Sequence, residues 1–181
     1  LQAGVDIPEW KEDERRDITL ENLLQMNSGL EWVENYFTIL EDLLIGYRLP
    51  VFTKKARRRL AAHPKFYFFD AGVYRSLRPT GPLDAPQEID GAALESLVAQ
   101  HLRAWISYQP GSAELYFWRT KFGNEVDFVV YGADVFYALE VKNTANIRSK
   151  AVNSLVAFKA DYPEAEVCLL YRGKERIFHK N

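Results

Sequence analysis

A single cysteine, Cys168, occurs in 181 residues. That excludes a disulfide framework and a cysteine-ligated zinc site, and it suits a reducing compartment. The three histidines, His63, His101 and His179, show no ligand spacing. No apolar run approaches the roughly 18 residues that a bilayer-spanning helix needs. No charged leader followed by an apolar stretch follows Leu1, so no signal peptide is read and a cytoplasmic location is expected. A start without methionine reads as a fragment with something upstream removed. No internal repeat or low-complexity tract is present. Neither sign of charge prevails: Lys and Arg number 23, Asp and Glu 25, and the net charge is −2. A bulk-basic nucleic-acid binder is excluded, although a local basic face is not. What the chain does have is a globular composition, 48% apolar and 14% aromatic. It is long enough for one ordinary domain or two small ones, and wholesale disorder is excluded.

The charge is unevenly placed. Residues 1–46 hold three basic and eleven acidic residues, whereas residues 47–78 hold nine basic residues and one acid, Asp70. The densest basic run is Lys54, Lys55, Arg57, Arg58 and Arg59. Such a run can neutralise phosphates, or it can be a solvated turn docked on the acidic stretch beside it.

The hydrophobic pattern divides the chain into two blocks, 1–80 and 81–181, at a stretch holding Pro79, Gly81, Pro82 and Pro86. In the first block the spacing predicts a short helix over 18–25, a turn at 26–29 and a longer amphipathic helix over 30–45 closed by Gly46. Strands follow over 47–52 and 65–69, with the basic run between them. Helix, turn, helix and a two-stranded ribbon with a basic tip outline a winged helix, preceded by an acidic linker. In the second block the pattern predicts a helix over 91–108, with Leu94, Leu97, Val98, His101, Leu102 and Trp105 on its apolar face. Strands over 115–120, 125–131 and 135–141 form an antiparallel meander. A helix over 147–161 and a strand over 167–171 complete an αβββαβ order. Cys168 is expected to pack inertly in the last strand, and Asp70 to cap the turn that follows it.

The chemistry of the second block lies in its carboxylates. Alternation puts Glu140 and Lys142 on one face of their strand, with Leu139 and Val141 on the other. In the preceding strand, alternation places Val126 and Phe128 inward and Asp127 with Glu125 and Val129. Thirteen residues separate Asp127 from Glu140, a spacing that suits adjacent antiparallel strands, so the two carboxylates can meet. With the helix acid Glu95 nearby, this set suits a hard divalent ion, Mg²⁺ or Mn²⁺, better than zinc. The plainer readings are a surface ion pair for Glu140 and Lys142, solvated strand acids for Asp127 and Glu125, and an ordinary helix-surface acid for Glu95.

Glu95, Val126-Asp127 and Glu140-Val141-Lys142 together resemble the PD-(D/E)-x-K nuclease superfamily, whose restriction-endonuclease-like core has the same αβββαβ order. The stretches Arg48-Leu49-Pro50, Pro64-Lys65-Phe66-Tyr67-Phe68-Phe69-Asp70-Ala71-Gly72, Trp118-Arg119-Thr120-Lys121 and Asn124-Glu125-Val126-Asp127-Phe128 look like one branch of it. That branch is the C-terminal region, long classed as a domain of unknown function, of bacterial and archaeal AAA+-type ATP-binding proteins. The resemblance covers nearly all of the chain after Ile18. It implies that Glu95, Asp127 and Glu140 share the metal with the Val141 carbonyl, and that Lys142 helps to activate the attacking water. Val126 stands where the motif has proline. The resemblance also implies an N-terminal ATPase module. This chain has no G-x-x-x-x-G-K-[ST], so ATP enters only through such a missing module.

The expected function is metal-dependent hydrolysis of a nucleic-acid phosphodiester. Lys54, Lys55, Arg57, Arg58, Arg59, Arg119 and Lys121 would contact the backbone. The alternative is a non-catalytic DNA-binding, oligomerisation or regulatory module of the ATPase. Candidate partners are nucleic acid, the ATPase module and further copies of the chain, with no membrane.

Overall fold

The computed structural model describes residues 35–56, 63–77, 81 and 85–175. Its elements are α1 (Asn35–Asp42), β1 (Gly46–Leu49), β2 (Lys65–Phe68), α2 (Ala71–Leu77), α3 (Pro86–Tyr108), β3 (Glu114–Arg119), β4 (Glu125–Tyr131) and β5 (Phe136–Lys142). A 3-10 turn (Ser149–Val152), α4 (Asn153–Asp161) and β6 (Glu166–Tyr171) follow. The chain is mixed α/β, as its pattern predicts. The expected helix over 18–25 and the residues Arg57, Arg58 and Arg59 lie outside the described residues.

Strands β3 to β6 form one sheet in the order β3-β4-β5-β6. The first three are antiparallel, and β6 returns parallel to β5. A parallel return needs a crossover, which α4 supplies. The pair β1 and β2 forms a separate antiparallel ribbon. It is no free wing, because the chain leaving β1 runs along β3. Phe52 N–H donates to the Phe117 carbonyl at 2.7 Å, and Phe117 N–H donates to the Pro50 carbonyl at 3.0 Å.

Two apolar clusters flank the sheet. One joins Phe52, Trp118, Val126, Val129 and Ala138 to Leu155 and Phe158 of α4. The other joins Tyr47, Leu49 and Tyr67 of the ribbon to Ala99 of α3, Phe117 and Phe128. Residues from both sides of position 80 therefore share this second cluster.

Strict alternation on β4 does not hold. Tyr116 pairs with Val129 and Trp118 with Val126, so Asp127 and Phe128 together oppose Phe117. This is a β-bulge, which re-aims side chains. It turns Phe128 towards the second cluster while Val126 and Val129 both join the first. The expectation that Val126 and Phe128 share a face is thereby overturned.

Other expectations change for local reasons. Pro86 starts α3 earlier than expected, since proline at N1 leaves no extra donor unmade. The buried residues of α3 are Ala93, Ser96 and Ala99. Leu97, His101 and Trp105 are exposed, because small side chains let the helix approach the sheet. The described part of the long helix ends through Leu44, which adopts φ +55°. The Ile45 N–H reaches back to the Leu40 carbonyl at 2.9 Å there. Gly46 serves space instead: a Cβ on it would lie 2.2 Å from the Phe66 ring. Cys168 is exposed on β6, which among the described residues is an edge strand paired with β5. Asp70 does cap α2, accepting from Gly72 N–H at 2.6 Å and Val73 N–H at 3.1 Å.

Candidate functional site

The β4–β5 ladder pairs residues as far as Phe128 with Leu139. One step further along this register, Asp127 lies across from Glu140. There the ladder gives way to a side chain: Asp127 Oδ2 accepts the Val141 N–H at 2.8 Å. At this end of the ladder the Asp127 carboxylate takes the place of a backbone partner for Val141.

Around Asp127 lie two lysines from distant parts of the sequence, Lys65 and Lys142. Lys65 of β2 points its Nζ at three acids, 2.5 Å from Glu125 Oε1, 2.9 Å from Glu95 Oε1 and 3.7 Å from Asp127 Oδ1. Tyr67, two residues on and so on the same face of β2, donates its hydroxyl to Glu95 Oε1. Arg119 donates its Nε–H to Glu125 Oε2. On β5, Lys142 Nζ lies 2.6 Å from Glu140 Oε1. Glu140 Oε2 is buried and, among the described residues, has no hydrogen-bond partner.

The electrostatics divide these acids. Burial, opposed by hydrogen bonds from Arg119 and Lys65, leaves Glu125 below the usual carboxylate range. Burial and the charge of Glu95 push Asp127 up to about 6, against the pull of the Val141 N–H and both lysines. Burial and the charge of Asp127 push Glu140 up to about 7, against its hydrogen bond from Lys142. Burial works against both ammonium groups, yet the surrounding acids outweigh it and hold Lys65 and Lys142 above their ordinary value. Asp127 and Glu140 are thus the members whose charge is least compensated.

Among the described residues, no group of three or more His, Cys, Asp or Glu side chains is placed to hold a metal ion by itself. The available donors are Asp127 and Glu140, with the Val141 carbonyl on the same segment. Glu95 is already engaged by Lys65 and Tyr67.

The sequence-predicted cations are dispersed. Lys54 Nζ lies 4.3 Å from the centre of the Tyr131 ring, at the far end of β4 from Glu125. Lys55 is exposed beside it. Lys121 is exposed in the β3–β4 turn, and Arg119 is tied to Glu125. The sequence pattern gives no role to Lys65 or Tyr67 and offers for Glu125 only the plainer reading of a solvated strand acid. The signal available for the first two was their i, i+2 spacing on a strand. The acids they meet lie some thirty to sixty residues away, which no local pattern reports.

A family model described as "Domain of unknown function (DUF4143)" matches residues 90–181, and another, "Domain of unknown function (DUF8612)", matches residues 16–84. The "Uncharacterized protein Rv2008c" of Mycobacterium tuberculosis and the "Uncharacterized protein Mb2031c" of Mycobacterium bovis are each 27% identical to the chain over 144 residues. The match covers 78% of this chain and 31% of either relative, so the chain spans about a third of their length. No solved structure matches. Among the described residues, no helix is long and apolar enough to cross a membrane.

Proposed function

Because the chain belongs to the DUF4143 family, and Glu95, Asp127, Glu140 and Lys142 all fall in the matched region, we propose that this region is a PD-(D/E)-x-K nuclease-like domain that hydrolyses nucleic-acid phosphodiesters with Mg²⁺ or Mn²⁺. The observation that carries the reading is the pair Asp127 and Glu140. Two buried carboxyls lie across from each other in register where the β4–β5 ladder ends, both are pushed up in pKa, and among the described residues one oxygen of Glu140 has no hydrogen-bond partner. The αβββαβ order with a parallel final pair supports a restriction-endonuclease-like core.

This donor set fits a hard cation. Carboxylate oxygens suit magnesium, which commonly uses only one or two carboxylates and completes its shell with water and substrate phosphate. Asp127, Glu140 and the Val141 carbonyl would hold it. A bound ion polarises a phosphoryl oxygen and makes a coordinated water more acidic. Lys142, anchored on Glu140, orients the water and offsets charge that develops at phosphorus. Glu95 acts differently from the role its motif implies: it fixes Lys65 beside Asp127. An AAA+-type ATPase would occupy part of the remaining length seen in the relatives. The site is tested by nicking of supercoiled DNA in Mg²⁺ or Mn²⁺. Cleavage should be lost in Asp127→Ala and in Lys142→Ala. Equal cleavage by wild type and Lys142→Ala would mark the activity as contamination.

One observation favours a second reading, a non-catalytic DNA-binding, oligomerisation or regulatory module. Glu95 and Glu125 are engaged by Lys65, Tyr67 and Arg119, as in a cluster built only to hold β2 against α3 and β4. That reading predicts metal-independent behaviour throughout.

A further inference from the structure

A cleft of about 420 Å³ opens beside the carboxylates, in the size range of small-ligand sites. All four residues of β2 line it, so it runs along that strand, with α2 and α3 as its other walls. Phe66, Phe68 and Tyr74 give it aromatic surface. The Phe66 and Phe68 rings meet edge to face at 5.5 Å, and the Phe68 and Tyr74 centroids lie 6.4 Å apart. Phe66 and Phe68 are only half-buried. On the α3 side the wall is Ala92 and Ser96, whose small side chains leave the space open. The Ser96 hydroxyl is turned back to the Ala92 carbonyl at 2.9 Å.

The charged groups of the cleft are Lys65 and Arg119 against Glu95 and Glu125, two cations against two anions. Phosphate would gain no net attraction there, because each cation already holds an acid. A flat, neutral ring with donors and acceptors on its edge fits both features: π-faces for stacking and charged side chains for the edge. We infer that this cleft receives an unpaired nucleobase of the nucleic acid whose backbone lies at Asp127 and Glu140. This rests on the nucleic-acid reading above and narrows it. A base stacked in a duplex cannot enter a concave cleft, so the substrate is single-stranded or locally unpaired.

The test is metal-free binding of a fluorescent oligonucleotide carrying 2-aminopurine, in EDTA, single-stranded and as the matching duplex. Wild type should bind the single strand at least tenfold more tightly than the duplex and change the 2-aminopurine emission. Tyr74→Ala should weaken single-strand binding about tenfold. Ala92→Leu keeps the rings and a good helix former while filling the cleft, and should abolish the emission change with the thermal melt preserved. Equal affinity for duplex and single strand, or an unchanged emission response in a folded Ala92→Leu, overturns the inference. Asp127→Ala separates the two proposals. Single-strand binding that survives in it supports the cleft even if wild type never cleaves DNA. Cleavage by wild type without any single-strand preference supports hydrolysis and overturns the cleft.

Discussion

Glu140→Gln should make the protein more stable at pH 8 and leave it almost unchanged at pH 5. The Glu140 carboxyl is buried, and its pKa rises on folding from an ordinary 4.5 to about 7. A group raised in this way binds more protons folded than unfolded between those values. Stability therefore falls as pH rises from about 4.5 to 7 and stays lower above. The difference of about 2.5 pH units corresponds to about 3 kcal/mol at pH 8. Glutamine keeps the shape and an oxygen for Lys142, and carries no charge to desolvate. At pH 5 the wild-type carboxyl is protonated in the folded chain, so about 1 kcal/mol or less should separate the two proteins.

For a chain of this size, about 3 kcal/mol corresponds to a rise in Tm of roughly 6–12 °C. Differential scanning calorimetry at pH 5 and pH 8, on wild type and Glu140→Gln, reads it directly. A Tm difference that does not grow between the two pH values would refute the burial argument. So would a Glu140→Gln protein less stable than wild type at pH 8. The same instrument tests the cation: millimolar Mg²⁺ should raise the wild-type Tm at pH 8 and raise that of Glu140→Gln far less.

Lys65→Met removes the ammonium shared by Glu95, Glu125 and Asp127 and should destabilise the fold by about 2–3 kcal/mol, the low end for a broken buried pair because the group is partly solvated. It should also move the Asp127 carboxyl above its value of about 6, read by NMR titration; an unmoved Asp127 would show that the two do not interact. Leu44→Gly relieves a side chain held at φ +55° and should raise stability by about 0.5–1 kcal/mol, seen as a higher urea midpoint. Replacing Arg57, Arg58 and Arg59 by Ala should weaken DNA binding and flatten its salt dependence in a titration series. An unchanged slope would assign the run to solubility.

Much of the fold was legible because it is written in local pattern. The runs of high β propensity at 125–131 and 135–141 and the glycine-containing turns beside them specify the meander, and the helical stripe over 147–161 specifies its crossover, although the α-helix itself begins only at Asn153, after a 3-10 turn. What could not be read was set by packing between distant segments. The chain after β1 joins β3 through backbone bonds at Phe117, and no residue type announces a backbone bond. The buried stripe of α3 is small rather than greasy, so a search for large apolar residues selects its solvent face. The bulge at Asp127 and Phe128 leaves no mark on composition, yet it decides which side chains share a face.

The same division holds for the site, and it bears on why the pair Asp127 and Glu140 is the part to test. The E-x-K spacing reported Glu140 and Lys142 because they are neighbours on one strand, and the thirteen-residue offset reported Asp127 because antiparallel register is arithmetic. Lys65 and Tyr67 come from another sheet, so the pattern that named the acids could not name what neutralises them. Their presence changes the charge balance. Four acids, Glu95, Glu125, Asp127 and Glu140, face three cations, Lys65, Arg119 and Lys142. Two of the cations are committed to Glu95 and Glu125, so the excess negative charge falls on Asp127 and Glu140. A cluster that only pinned β2 to the sheet would gain by replacing those two with an amide or an aliphatic residue. Keeping both as acids at neutral pH is a standing loss of stability, which the proposed cation at that strand end would remove.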